Sequence, residues 1–112
     1  MNYAFTVQAR REVSDIVSYY RQEDRRLAVA FVEELDRLLA LLVTNPSIGH
    51  RVGPIFRRMA VPRFPYYLYY TADGSHGLIE ISVVCHQRRR ADYWRDRAEE
   101  PAIGYGFESV AA

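Results

Sequence analysis

This sequence contains no lysine and one cysteine, Cys85. One thiol cannot close an internal disulfide, so a reducing cytoplasm is the natural setting. No apolar run approaches the about 18 residues that a membrane span needs, and a membrane partner is not expected. The N-terminus MNYAFTVQARRE has no basic segment leading into an apolar one, so no signal peptide is expected. Neither CxxC, HExxH, a P-loop nor GxGxxG is present. His50, His76 and His86 are too dispersed for a metal site, and no cofactor or metal is expected. Internal repeats and low-complexity segments are absent as well.

At 112 residues, 49% of them hydrophobic and 26% charged, the chain fits one globular domain with a real core. Its net charge of +1 conceals an uneven distribution. Residues 1–50 carry 6 Arg and 7 acids, residues 51–97 carry 9 Arg and 4 acids, and residues 98–112 carry 3 Glu and no Arg. Every basic residue is thus an arginine, suited to planar, bidentate contacts with phosphate or carboxylate. Codon usage in a GC-rich genome is the better explanation of the missing lysine, which is thus weak evidence for function. The clustering of arginine in the second half is the better signal.

Hydrophobic periodicity outlines the elements. Tyr3, Phe5 and Val7 alternate as in a strand. From Ala9 onward, Val13, Ile16, Val17 and Tyr20 follow helical spacing. Arg21–Asp24 reads as a break, with Asp24 the N-cap of a second helix over about 25–44. Leu27, Phe31, Leu35, Leu38, Leu39 and Leu42 form that helix's main stripe, and Asn45-Pro46 stops it. Val29, Val32, Leu41 and Val43 widen the apolar surface, either as extra core or as a face covered by another chain. Ser47–Pro54 reads as a loop. Strands follow at Phe56–Val61, Tyr66–Thr71 and Leu78–Cys85, with Asp73-Gly74 in the last hairpin. Residues Ala91–Arg97 suit a short helical turn. The expected architecture is α+β: an N-terminal strand, an antiparallel helix hairpin packed on one face, then a three-stranded antiparallel meander. Residues 1–97 form the expected domain, and 98–112 a tail that is loosely ordered alone or docked on something.

Strict alternation along the last strand puts Ile79, Ile81, Val83 and Cys85 on one face. It puts Leu78, Glu80, Ser82, Val84 and His86 on the other, open face. His86 then sits beside Glu80 and Ser82 and leads into Arg88, Arg89 and Arg90. Such a histidine can act as a general acid or base, can contact phosphate as part of a binding site, or can bond the backbone to fix the turn. Arg57, Arg58, Arg63 and Arg88–Arg90 form a candidate binding patch, or a solvated basic rim, with Trp94 nearby. If the chain cleaves RNA, His86, Glu80, Arg58, Arg88 and Tyr93 are the candidate catalytic groups, although no spacing requires that role. The run Tyr66, Tyr67, Tyr69 and Tyr70 can stack bases or simply pack the sheet. Tyr93 and Trp94 read as anchors of the C-terminal turn, and Cys85 as a buried strand residue.

Three segments together resemble the RelE/ParE superfamily of bacterial type II toxins. They are the hairpin ending Asn45-Pro46-Ser47-Ile48-Gly49, the run Arg63-Phe64-Pro65-Tyr66-Tyr67-Leu68-Tyr69-Tyr70, and Val83-Val84-Cys85-His86-Gln87-Arg88-Arg89 followed by Trp94 and Arg97. The pattern covers roughly Tyr3 to Arg97 and is most similar to the ParE branch, the plasmid stabilisation proteins. This resemblance implies a cytoplasmic toxin neutralised by a cognate antitoxin, with DNA gyrase as target, either as a homodimer or in a toxin–antitoxin heterotetramer. The RelE branch implies instead mRNA cleavage on the ribosome. The missing lysine-rich surface and C-terminal His-Tyr pair weigh against that branch. An inactive homologue that only binds partners is a third reading.

Overall fold

The computed structural model describes residues 2–89 and 93–98, with side chains up to Arg95. Arg90 and the expected tail beyond Ala98 lie outside the described residues. Strand β1 (Asn2–Phe5) leads into helices α1 (Val7–Glu23) and α2 (Arg25–Thr44). Strands β2 (His50–Val52), β3 (Phe56–Ala60), β4 (Tyr66–Asp73) and β5 (Leu78–His86) follow, then α3 (Tyr93–Ala98). The expected α+β order is present. The expected loop at 47–54 contributes the short strand β2, which pairs with β3 as an added edge.

The five strands lie in the order β1-β5-β4-β3-β2. β2 through β5 pair antiparallel, whereas β1 runs parallel to β5. That parallel pairing requires a long crossover. The two helices supply it and cover one sheet face.

Local chemistry sets the helix ends. Thr6 caps α1, its hydroxyl accepting the Ala9 N–H at 3.1 Å. Asp24 caps α2 by accepting the Arg26 N–H at 2.9 Å. The break between the helices is Asp24 alone, because Arg21–Glu23 continue α1. Phe31, Leu35, Leu38, Leu39 and Leu42 are buried, each side chain contributing about 1.5–3 kcal/mol. Leu27 is a correction to the expected stripe, since it is exposed at the margin of α2. Phe31, Phe64, Tyr20 and Tyr66 form an edge-to-face cluster, with Phe31–Phe64 and Tyr20–Phe64 centroids both 5.3 Å apart. Burial there pushes the Tyr66 hydroxyl up to about 12.

Two faces of the sheet are packed. Tyr66, Leu68 and Tyr70 of β4 point into the helix-covered core, while Tyr67 and Tyr69 point to the other side. The expectation of an open outer face needs correction. Trp94 of α3 stacks on Tyr69 with ring centroids 5.5 Å apart and planes 11° apart. It also contacts Phe56. Gly53, at φ +71, leaves room for this indole, because a Cβ there would stand 3.0 Å from it.

Tyr70 ties the sheet to the loop after α2. Its hydroxyl donates to the Pro46 carbonyl at 2.7 Å and accepts the Gly49 N–H at 3.0 Å. Tyr70→Phe leaves both loop groups without that partner and is expected to cost about 1–3 kcal/mol in urea unfolding. Gly49→Ala should destabilise in the same assay, because its Cβ would stand 2.6 Å from that hydroxyl.

Candidate functional site

The end of β5 does not follow strict alternation. Tyr70 pairs with Ile81, but the next residue of β4, Tyr69, pairs with Val83. Ser82 is therefore an extra residue, a β-bulge that reverses the facing of everything after it. Ile79, Ile81 and Val84 belong to the helix-side core, whereas Val83 and Cys85 join the outer cluster with Tyr69 and Trp94. His86, paired with Tyr66, follows Val84 to the helix side. Glu80 precedes the bulge and stays on the outer face opposite Thr71. The expectation that His86 lies beside Glu80 is thus corrected, for the sheet separates them.

His86 closes the turn after β5. Its Nδ1 accepts the Arg88 N–H at 3.0 Å, and its ring meets the edge of Tyr66 at 5.4 Å. This bond requires a bare Nδ1, which leaves the ring hydrogen on Nε2. The backbone-bonding reading of this histidine describes its observed contact. Gln87 N–H adds a second tie to the Pro65 carbonyl at 2.9 Å.

Beyond the bulge, β1 has ended and no strand among the described residues covers that edge of β5. The start of α1 takes over. Thr6 N–H donates to the Ile81 carbonyl at 2.9 Å. Glu12 accepts the Val84 N–H at 2.9 Å through Oε1 and the Tyr93 hydroxyl at 2.8 Å through Oε2. One carboxylate thereby joins α1, β5 and α3. A groove of about 360 Å³ lies here, with Arg11, Glu12, Asp15, His86, Arg89 and Tyr93 along it. Arg89 sits over the Tyr93 ring at 4.7 Å, so its guanidinium is held at the rim by cation–π attraction. The groove offers cations, carboxylates and an aromatic wall, which suits a polar peptide or protein segment.

The predicted arginines do not form one patch. Arg57 faces the helix side and donates to the Ser47 carbonyl at 3.0 Å and the Gly49 carbonyl at 2.8 Å, which makes it a loop anchor. Arg58 lies on the outer face, 4.3 Å over the Tyr67 ring. Arg63 adopts φ 71 in the β3–β4 turn and approaches Glu34 at 3.7 Å. Arg88 and Arg89 remain at the end of β5, exposed. Trp94 is buried against the sheet rather than presented for docking.

Sequence reasoning missed Arg11, Glu12 and Asp15. Nothing in the periodicity of α1 shows which strand edge it covers. The bulge did leave a trace, because Val83-Val84-Cys85 are consecutive apolar residues where alternation predicts a polar one. Among the described residues no group of three or more His, Cys, Asp or Glu could hold a metal ion. No helix among them is long and apolar enough to cross a membrane.

Burial raises the Glu80 carboxyl above its ordinary value, partly offset by the Ser82 hydroxyl at 3.4 Å. The folded state therefore favours the protonated form. That contribution is complete below the unfolded value and is lost as pH rises through the folded one. Glu80→Gln should be more stable than the parent at neutral pH. Denaturation across a pH series should show the difference vanish below about pH 4.

No curated protein matches the chain. A family model does: residues 3–91 match the ParE toxin of the parDE type II toxin-antitoxin system. The match runs from β1 through the whole sheet and the turn at His86, and the chain therefore belongs to the ParE toxin family of type II toxin-antitoxin systems.

Proposed function

We propose that this protein arrests growth in the cytoplasm by binding DNA gyrase and is held inactive by a cognate antitoxin. The family match over residues 3–91 carries this reading, because the ParE branch is associated with gyrase inhibition. The groove between α1, the end of β5 and α3 supports binding rather than bond cleavage. Its rim arginines Arg11 and Arg89 and its carboxylates Glu12 and Asp15 suit a protein segment of mixed charge. Target and antitoxin contacts involve the exposed Arg88 and Arg89 rather than the His86 ring, which is engaged in the turn after β5.

Cleavage of mRNA has less support. A general acid–base pair must reach one substrate atom together. His86 and Glu80 occupy opposite faces of the sheet, and the His86 Nδ1 is engaged by the Arg88 N–H. Arg58 lies on the outer face, away from the helix-side histidine.

Purified protein added to gyrase should inhibit supercoiling, and full supercoiling at saturating toxin would overturn the gyrase reading. His86→Ala should still arrest growth when induced. If that variant lost toxicity while remaining folded by circular dichroism, the case for binding without catalysis would fail. Co-expression of a small protein encoded beside this one should restore growth.

A further inference from the structure

Helix α3 clasps the edge of β5 beyond the bulge. It is six residues long, too short to hold a helical form by itself. Two neighbouring side chains fasten it to different parts of the fold. The Tyr93 hydroxyl donates to Glu12 Oε2 on α1 at 2.8 Å, where both residues line the groove. The Trp94 indole is buried on Tyr69 at the outer face, with the Arg95 guanidinium 5.5 Å over its ring.

These two fastenings do not act separately. Tyr93 and Trp94 are adjacent in the chain, so their Cα atoms stand about 3.8 Å apart. A movement of Tyr93 away from Glu12 carries the indole with it. Glu12 itself has a divided task. Its Oε1 accepts the Val84 N–H, a backbone donor that needs an acceptor. Oε2 is therefore the atom at which a cationic group entering the groove competes with the Tyr93 hydroxyl. Under Trp94 lies an apolar surface of Tyr69, Val83 and Cys85, with Phe56 and Val52 at its margin.

We propose that α3 is a clasp that closes and opens the groove at the end of β5, with the Tyr93–Glu12 hydrogen bond as its catch. In the closed form Tyr93 walls the groove and holds Arg89 at its rim. In the open form that wall withdraws, Glu12 Oε2 is offered to a cation of the incoming segment, and the aromatic surface under Trp94 is uncovered. A segment that engages Glu12 binds the open form more tightly, and such a differential affinity is what shifts a two-state element. Contact in the groove is thereby transmitted to the outer face of the sheet through two consecutive residues. The inference rests on the reading of this groove as the target site and adds how that site is opened.

The chain's single cysteine and single tryptophan both report on the clasp. Cys85 is 7% exposed and packs with Trp94, so its rate of reaction with Ellman's reagent measures how often the indole lifts. Tyr93→Phe keeps the ring and its contact with Arg89 but removes the hydrogen bond. It should speed Cys85 labelling at least about tenfold, the weight of a hydrogen bond to a charged group. Trp94 emission should shift to the red in the same variant. Tyr70→Phe is the control, because it weakens the other side of the sheet. It should lower the urea midpoint yet leave Cys85 labelling within about twofold of the parent, since local opening is independent of global stability. In the parent, labelling should change little with urea below the unfolding transition, because a local opening exposes little surface. Equal labelling in Tyr93→Phe and the parent would overturn the proposal. So would an acceleration by Tyr70→Phe as large as that by Tyr93→Phe, or a parent rate that climbs with urea as steeply as global unfolding. The last measurement needs no variant and stands even if Tyr93→Phe does not fold. None of these readouts involves gyrase. A failed clasp leaves a fixed groove and the toxin reading standing, and full supercoiling beside a working clasp removes the gyrase reading alone.

Discussion

One extra residue, Ser82, determines which way the end of the last strand faces. Without the bulge, Val84 would leave the core, and His86 would join Glu80 on the outer face. With it, Val84 packs under the helices, Cys85 turns toward Trp94, and the histidine comes beside α1. The bulge also falls just where β1 gives way to Thr6. The unpaired Val84 N–H is then covered by Glu12, a side chain rather than another strand. A buried backbone donor needs some acceptor, and this requirement locks α1 to β5. Among the described residues a helix rather than another strand closes that edge, and the groove lies along it.

The arginines divide between structure and surface for similar reasons. Arg57 satisfies two loop carbonyls that β2 is too short to reach, and Arg63 answers the buried carboxylate of Glu34. A guanidinium is well suited to such tasks, because its planar fork serves several oxygens at once. Arg88 and Arg89 at the end of β5 and Arg11 of α1 stay exposed. The positive bias of the second half is thus distributed over the fold rather than collected at one docking point.

The helix hairpin faces two environments. Its inner stripe builds the core with the aromatic cluster around Phe31. Its outer surface retains valines that the monomer does not cover. The Tyr69–Trp94 stack does on the other side of the sheet what the helices do on this one. It covers an aromatic face that would otherwise be left open to water.

Much of the architecture was legible in the residues themselves. Helical spacing from Val13 to Tyr20 and from Phe31 to Leu42, the Asp24 cap, the Asn45-Pro46 stop and the last hairpin all express local rules. Those rules act within a few residues, and the chain carries them wherever it goes. The family resemblance was legible too, because its quoted segments are linear. The structure alone decided the parallel pairing of β1 with β5, the fifth strand at His50–Val52 and the facing of His86. The β1 pairing and the facing of His86 depend on contacts between residues far apart in sequence, such as Val84 with Glu12. Alternation can assign a face only while the ladder stays in register. A single unpaired residue reverses it, and whether that residue bulges is set by what packs on either side of the sheet.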